Sequence, residues 1–331
     1  MNRAEIGDVK MVTEFNQCLK VDRCDDMAEF LIGELIKRLR KQRGISQEEL
    51  AYPFFNRGYL SRIENGKVMP GKHNVEILLE RLGFDPGLFA VFLIDEKESK
   101  YQSAKKSLDS LLSQQDFQNA EVILKQLESD TEFANIAVNK QYLLSRKVEF
   151  AMYYQENPQK IFKLLLSAIK ISTPKFKECD IGEYLLSKED IDIINKMAVV
   201  YEQTNQVEKS INLLYMLKKN FDNRYMDNES KGLHYPMVIY NLTKYLGAHG
   251  RFDEAIDLCD MGIKMCIDIN ALKLLSHIVA NKAYCLHEIG DKIACERLLR
   301  QVYYTNEILR RFNVMEMTNA FAKEKLGITF S

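Results

Sequence analysis

The feature that most limits what this chain can become is its similarity to itself. Five stretches align: LLSQQDFQNAEVIL from 111, YYQENPQKIFKLLL from 153, YEQTNQVEKSINLLYML from 201, LGAHGRFDEAIDLC from 246 and LHEIGDKIACERLL from 286. Each reads as the end of one helix, a short polar turn and the start of another. In four of them a large residue is followed nine positions later by a small one: Leu111 and Ala120, Tyr201 and Ser210, Leu246 and Ala255, Leu286 and Cys295. The small side chain lets the two helices of a hairpin approach closely. The second copy, with Tyr153 and Phe162 in those places, breaks the rule and leaves its register open. A hairpin of this kind cannot bury its apolar face alone, so successive hairpins must stack. An all-α architecture follows.

The sequence before the repeats has a different pattern. LIGELIKRLRKQR, 31 to 43, places Leu31, Ile32, Leu35, Ile36 and Leu39 on one helical face, with Gly44 where a C-terminal cap belongs. Ser46 and Glu49 form a capping box for a second helix carrying Leu50 and Ala51 inward, stopped by Pro53 and the following phenylalanines. Asn56 caps a third, in which Tyr59 or Leu60 and Ile63 face the core and Asn65-Gly66 ends the helix. A fourth carries Val75, Leu78, Leu79 and Leu82, and Asp85-Pro86 opens a fifth with Leu88, Phe89 and Phe92. The whole chain has a formal charge of only -1, yet between Lys37 and Lys72 nine basic residues face Glu48, Glu49 and Glu64. That segment alone is basic.

SQEELA, YLSRIENGK, a proline and VEILLERLGFDPGLF together resemble the XRE-type helix-turn-helix domain over roughly residues 30 to 90. The resemblance implies that the helix from about Asn56 to Asn65 enters the major groove while the preceding helix crosses the backbone. The side chains suit that role: Arg57 can pair with guanine, and Asn56 and Gln47 with adenine. Ser61, Arg62, Asn65, Lys67 and the basic face of the first helix, including Arg38, suit phosphates, with Tyr59 on the same outer surface. The turn departs from the family by carrying FFN in place of a Gly-containing turn about one residue longer.

The repeats resemble tetratricopeptide repeats, HGRFDEAI most closely, but their spacing of roughly 40 to 48 residues exceeds the usual 34. STPKFKECDIGEYLLSK and NFDNRYMDNESKGLHYP hold the extra length, as loops or helix extensions. About five such hairpins are expected to wind into a right-handed superhelix whose concave face, lined by the first helix of each pair, binds a peptide segment. Aligned registers put Asn241 and Asn281 in equivalent places with Asn195 displaced by one, match Lys244 with Tyr284, and match Met237 with His277. A carboxamide can satisfy both the N–H and the C=O of an extended backbone.

Catalytic chemistry is not expected. Neither GxGxxG nor GxxxxGK[ST] occurs, and the five histidines form no HExxH. The seven cysteines form no CxxC pair, which suits reduced thiols in the cytoplasm. Cys285, His287 and Cys295 lie close in sequence, but Cys295 already has a packing role, so no metal, nucleophile or cofactor is expected. No stretch nears the roughly 20 apolar residues that span a bilayer, so a membrane is not an expected partner.

Taken together, a helix-turn-helix domain followed by long tetratricopeptide-like repeats resembles the RRNPP family (Rgg-, PlcR- and PrgX-like) of bacterial quorum-sensing regulators. The resemblance implies a cytoplasmic, homodimeric transcription regulator that binds an inverted-repeat operator in double-stranded DNA and a short signalling peptide. Residues 27–94 would bind DNA, 95–106 form a linker helix, and 107–331 bind the peptide and dimerise. Residues 1–26 would be a mobile arm, or Met27 an alternative start. A protein-interaction scaffold, or a repressor controlled by a protein partner, is the alternative.

Overall fold

The computed structural model describes residues 25–84 and 96–331, so most of the expected arm and the fifth helix expected at Leu88, Phe89 and Phe92 lie outside the described residues. Regular structure within them is helical, and the chain divides after Lys100 into two compact units.

In the first unit, α1 (Asp25–Gln42) buries Ile32, Leu35, Ile36 and Leu39, and Gly44 follows with φ +67°. Helix α2 (Gln47–Ala51) begins in the expected capping box: the Glu49 N–H donates to Ser46 Oγ and the Ser46 N–H to the Glu49 carboxylate. Helix α3 (Arg57–Glu64) is capped by Asn56, whose Oδ1 accepts the Tyr59 N–H at 2.7 Å. Leu60 and Ile63 are fully buried, whereas Tyr59 is half-buried with its hydroxyl accepting from Asn74 Nδ2, so Leu60 rather than Tyr59 is the core residue. Helix α4 (Lys72–Arg81) adds Val75, Leu78 and Leu79, each side chain worth roughly 1.5–3 kcal/mol on burial.

Gly33 sets how closely α3 approaches α1. A Cβ there would lie 1.9 Å from the Ile63 carbonyl oxygen, so only glycine fits. Beside this contact Glu64 is almost wholly buried and fully engaged. Arg40 Nε and Nη2 donate to its two oxygens at 2.6 and 2.9 Å, and Gln47 Nε2 donates at 2.8 Å. One carboxylate thus ties α1, α2 and α3 together.

The second unit is built of α5 (Glu96–Ser113) from Tyr101 onward, α6 (Phe117–Ser129), α7 (Thr131–Ala134), α8 (Ala137–Tyr153), α9 (Pro158–Ser172), α10 (Lys188–Gln203), α11 (Val207–Asn223), α12 (Asn228–Ala248), α13 (Phe252–Asp268), α14 (Leu275–Glu288), α15 (Lys292–Ile308) and α16 (Phe312–Leu326). The hairpins are α5–α6, α8–α9, α10–α11, α12–α13 and α14–α15. Each turn passes through one left-handed residue: Gln115, Gln155, Asn205, Gly250 and Gly290. The next N–H then reaches back five residues, as from Asp116 to Leu111, Gln206 to Tyr201 and Arg251 to Leu246. This satisfies carbonyls that a helix end leaves unpaired.

The expected small residues Ala120, Ser210, Ala255 and Cys295 are all fully buried. The second hairpin resolves differently. Its turn, Tyr154–Asn157, is one residue longer than the others, with Asn157 as cap and Pro158 in the first helical turn. The matching positions are therefore Ala151 and Ile161, both buried, rather than Tyr153 and Phe162: the small residue lies on the first helix and the large one on the second. The extra length takes both forms. Residues 173–187 are a connection holding one 3₁₀ turn, Glu178–Glu183, fastened by Asn220 Nδ2 donating to the Ile181 and Tyr184 carbonyls. Residues 220–236 are mostly extensions of α11 and α12. One core runs from Val148 on α8 through Met197, Leu214 and Leu246 to Cys285 on α14.

Candidate functional sites

Helix α3 rests on Leu60 and Ile63, which turns the opposite face outward. Arg57 and Arg62 are exposed there and Ser61 is half-exposed, and Asn65 at the helix end and Lys67 just past it are exposed too. Arg57, Ser61 and Asn65 follow one another at four-residue intervals along one stripe. Asn65 is oriented by donating to the Ser61 carbonyl at 2.7 Å and accepting from Lys37 Nζ at 3.2 Å. The Arg62 guanidinium sits 5.8 Å from the centre of the Tyr59 ring. Arg38 is exposed on α1. Two expected base-reading residues have part of their capacity committed inside the protein: Asn56 Oδ1 is the α3 cap, and Gln47 Nε2 holds Glu64.

In the repeat unit, the first helices α10, α12 and α14 lie side by side. Asn195 and Asn241 are buried and bonded to each other, Asn241 Nδ2 donating to Asn195 Oδ1 at 3.0 Å. Asn281 donates to the Tyr240 carbonyl at 3.0 Å and to Thr243 Oγ1 at 2.9 Å. Both amide hydrogens of Asn281 are thus taken and only its Oδ1 is left to a ligand, so it cannot serve both groups of a peptide backbone as expected. A recess of about 220 Å³ opens beside it, lined by Thr243, Lys244, Ala248, Asn281 and Tyr284. Three of the seven expected residues, Lys244, Asn281 and Tyr284, therefore share one cavity. Met237 is exposed, while His277 is half-buried beside Tyr240, ring centres 5.7 Å apart. Burial, helped by the charge of Arg311, pushes the His277 pKa down.

A charged network on α5, α8 and α10 was not anticipated. Arg146 donates to Asp109 at 3.2 Å and Glu149 at 2.9 Å through one terminal nitrogen, and to Glu189 at 2.8 Å through the other. Lys196 bridges Glu149 at 2.8 Å and Asp192 at 2.6 Å, and the Tyr142 hydroxyl donates to Asp109. The only local traces are Arg146 with Glu149, and Asp192 with Lys196, one helical turn apart. Burial opposes the charge on Asp192, but Lys196 and Arg146 prevail and hold its carboxyl below the usual range. At Asp109 burial prevails over Arg146 and Tyr142, and the pKa rises.

Among the described residues no group of three or more His, Cys, Asp and Glu side chains is arranged to hold a metal ion. Cys285 and Cys295 are buried, and burial pushes both thiols up to about 11, far from reactive at neutral pH.

Residues 31–92 match the helix-turn-helix domain family, and residues 175–312 match the RNPP family C-terminal domain. No curated protein matches the sequence significantly. The fold is similar to that of Bacillus thuringiensis PlcR, solved in complex with the peptide PapR7 and DNA, at 19% identity and a TM-score of 0.58, covering 88% of this chain and 99% of that one. The apo form of PlcR matches at 18% identity and 0.56, over 87% and 98%. The apo competence regulator ComR of Streptococcus vestibularis matches at 13% identity and 0.52, over 89% and 98%.

Proposed function

We propose, from the premise that this chain pairs a helix-turn-helix domain with an RNPP family C-terminal domain and so belongs to the RRNPP-type regulators, that it is a sequence-specific DNA-binding transcription regulator controlled by a short signalling peptide. Family and fold are those of transcription regulators and not of enzymes. The observation that carries the DNA half of the reading is the α3 face: Arg57 and Arg62 exposed on a helix whose other side is locked to α1 by Gly33 and Glu64, with Lys67 exposed in the turn just after it. A rigid helix presenting cations and amides can fix its register on phosphates and read base edges with the remaining groups.

Residues 27–94 are assigned to DNA, 95–106 to the connection, and 107–331 to the peptide and to dimer formation. The peptide acts by binding one arrangement of the chain more tightly than another, since equal affinity for both would shift nothing. The protein would work in the cytoplasm; among the described residues no helix is long and apolar enough to cross a membrane.

A homodimer would present two α3 helices about 34 Å apart, one turn of the double helix. Selection of duplexes from a random pool by the full chain should therefore enrich an inverted repeat with half-sites at that spacing. A pool in which no sequence is enriched contradicts the proposal.

A further inference from the structure

The recess between α12 and α14 has three properties that together specify a ligand. Its volume of about 220 Å³ exceeds the roughly 150 Å³ of a cavity that holds benzene, so it accommodates a branched aliphatic or aromatic side chain. Tyr284, Ala248 and Thr243 line it, and its wall is mainly apolar. Lys244 lines the same recess, and it differs from three other cations on the first helices of this unit. Arg146, Lys196 and Lys282 are each ion-paired. Lys244 is exposed, has no carboxylate partner among the described residues, and lies 5.7 Å from the Tyr245 ring centre. Finally, Asn281 has only an acceptor to offer, because its two amide hydrogens are held by Tyr240 and Thr243.

An apolar cavity, a cation and a single acceptor complement the last residue of a peptide: its side chain, its carboxylate and its backbone N–H. We propose that this recess binds the C-terminal residue of a short peptide, an apolar residue whose free carboxylate pairs with Lys244 and whose backbone N–H donates to Asn281 Oδ1. The inference rests on the reading of the repeat unit as a peptide receptor and adds which end binds where. The charges on the preceding first helices support that direction. A carboxylate placed near α8 and α10 would meet Asp109, Glu149, Glu189 and Asp192, four acids that share two cations, whereas an amino terminus would not be repelled there. Neighbouring helix axes are about 8–10 Å apart and an extended chain advances about 3.3 Å per residue, so a peptide reaching from α10 to α14 needs roughly six residues.

The test uses the full chain and fluorescein-labelled heptapeptide mixtures, randomised except at the last position and made both as free acids and as C-terminal amides. Anisotropy should rank free acids ending in Leu, Ile, Met or Phe first, with amidation weakening binding about tenfold. Lys244→Gln should abolish the difference between acid and amide, Lys244→Arg should keep it, and Ala248→Leu should weaken large terminal residues more than small ones. Thermal melting of each variant checks that it remains folded. Equal binding of acids and amides to the unaltered chain, or an acid preference that survives Lys244→Gln, overturns the inference while leaving the receptor reading intact. Failure of every mixture to bind overturns the receptor reading itself.

Discussion

The two units each contain a cluster of charges, and the clusters are built on opposite principles. In the first unit, Glu64 is 1% exposed and every contact to it is short and directional: a forked pair from Arg40 and one amide from Gln47. In the second, Arg146 and Lys196 are 13% exposed and their acids between 20% and 49%, with several carboxylates sharing each cation. A buried charge with one set of partners admits one arrangement of three helices, as the proposed meeting of α3 with DNA as a rigid body requires. A half-open network with interchangeable partners can be rearranged at little cost, as the proposed response to a peptide requires. The difference predicts a steep penalty for damage to the first cluster and a shallow, salt-dependent one for the second.

The largest effect should come from Arg40→Ala, which strands the Glu64 charge in the interior and should cost about 3–5 kcal/mol in urea unfolding. The paired change Arg40→Met with Glu64→Leu should recover most of that loss, because it removes the charge as well as its partner. Next is Gly33→Ala, whose Cβ cannot fit against the Ile63 carbonyl. Overpacking of this kind costs about 1–3 kcal/mol, and since it displaces α3 it should weaken DNA binding beyond what the loss of stability explains. Arg146→Met should cost less, about 1–2 kcal/mol after solvent screening, and raising salt to 0.5 M should shrink that cost while leaving the Arg40→Ala penalty almost unchanged. A penalty for Arg146→Met that equals Arg40→Ala and ignores salt would erase the contrast between the clusters.

The smallest effect is a pH dependence of two signs within the second cluster. The folded pKa of Asp192 is depressed, so its contribution to stability is present above the ordinary value of 3.8 and is lost as pH falls through the depressed value. The folded pKa of Asp109 is raised, so its ionised form costs stability at neutral pH, and that cost is relieved as pH falls through the raised value down to the ordinary 3.8. Carboxyl titration by NMR should show Asp109 taking its proton before Asp192 as pH falls. The reverse order would contradict the geometry around Arg146.

What could be read in the sequence was local. The Ser46–Glu49 capping box, the Asn56 cap and the small residues at 120, 210, 255 and 295 are each decided within a dozen residues, and they stand where expected. The register of the second hairpin stays open in the sequence because one extra turn residue hides the signal that Asn157-Pro158 carries, a cap followed by a proline in the first turn. The pairing of Glu64 with Arg40, 24 residues away, and of Arg146 with Glu189, 43 away, depends on which helices touch, and no local pattern encodes that. Gly33 had a readable trace, since a glycine inside a strongly periodic helix is unfavourable unless another backbone passes close by. The asparagines lie on neighbouring helices, but Asn195 and Asn241 are buried against each other and the donors of Asn281 are consumed by Tyr240 and Thr243, which only the packing reveals.

The most direct test of the central claim is duplex binding by the full chain carrying Arg57→Ala and Arg62→Ala, measured across a range of salt concentrations. The account predicts that affinity at moderate ionic strength falls at least tenfold and that the dependence of log affinity on log salt becomes shallower by about 0.9 for each phosphate contact removed. A variant that keeps both the affinity and the salt slope of the unaltered chain would contradict it.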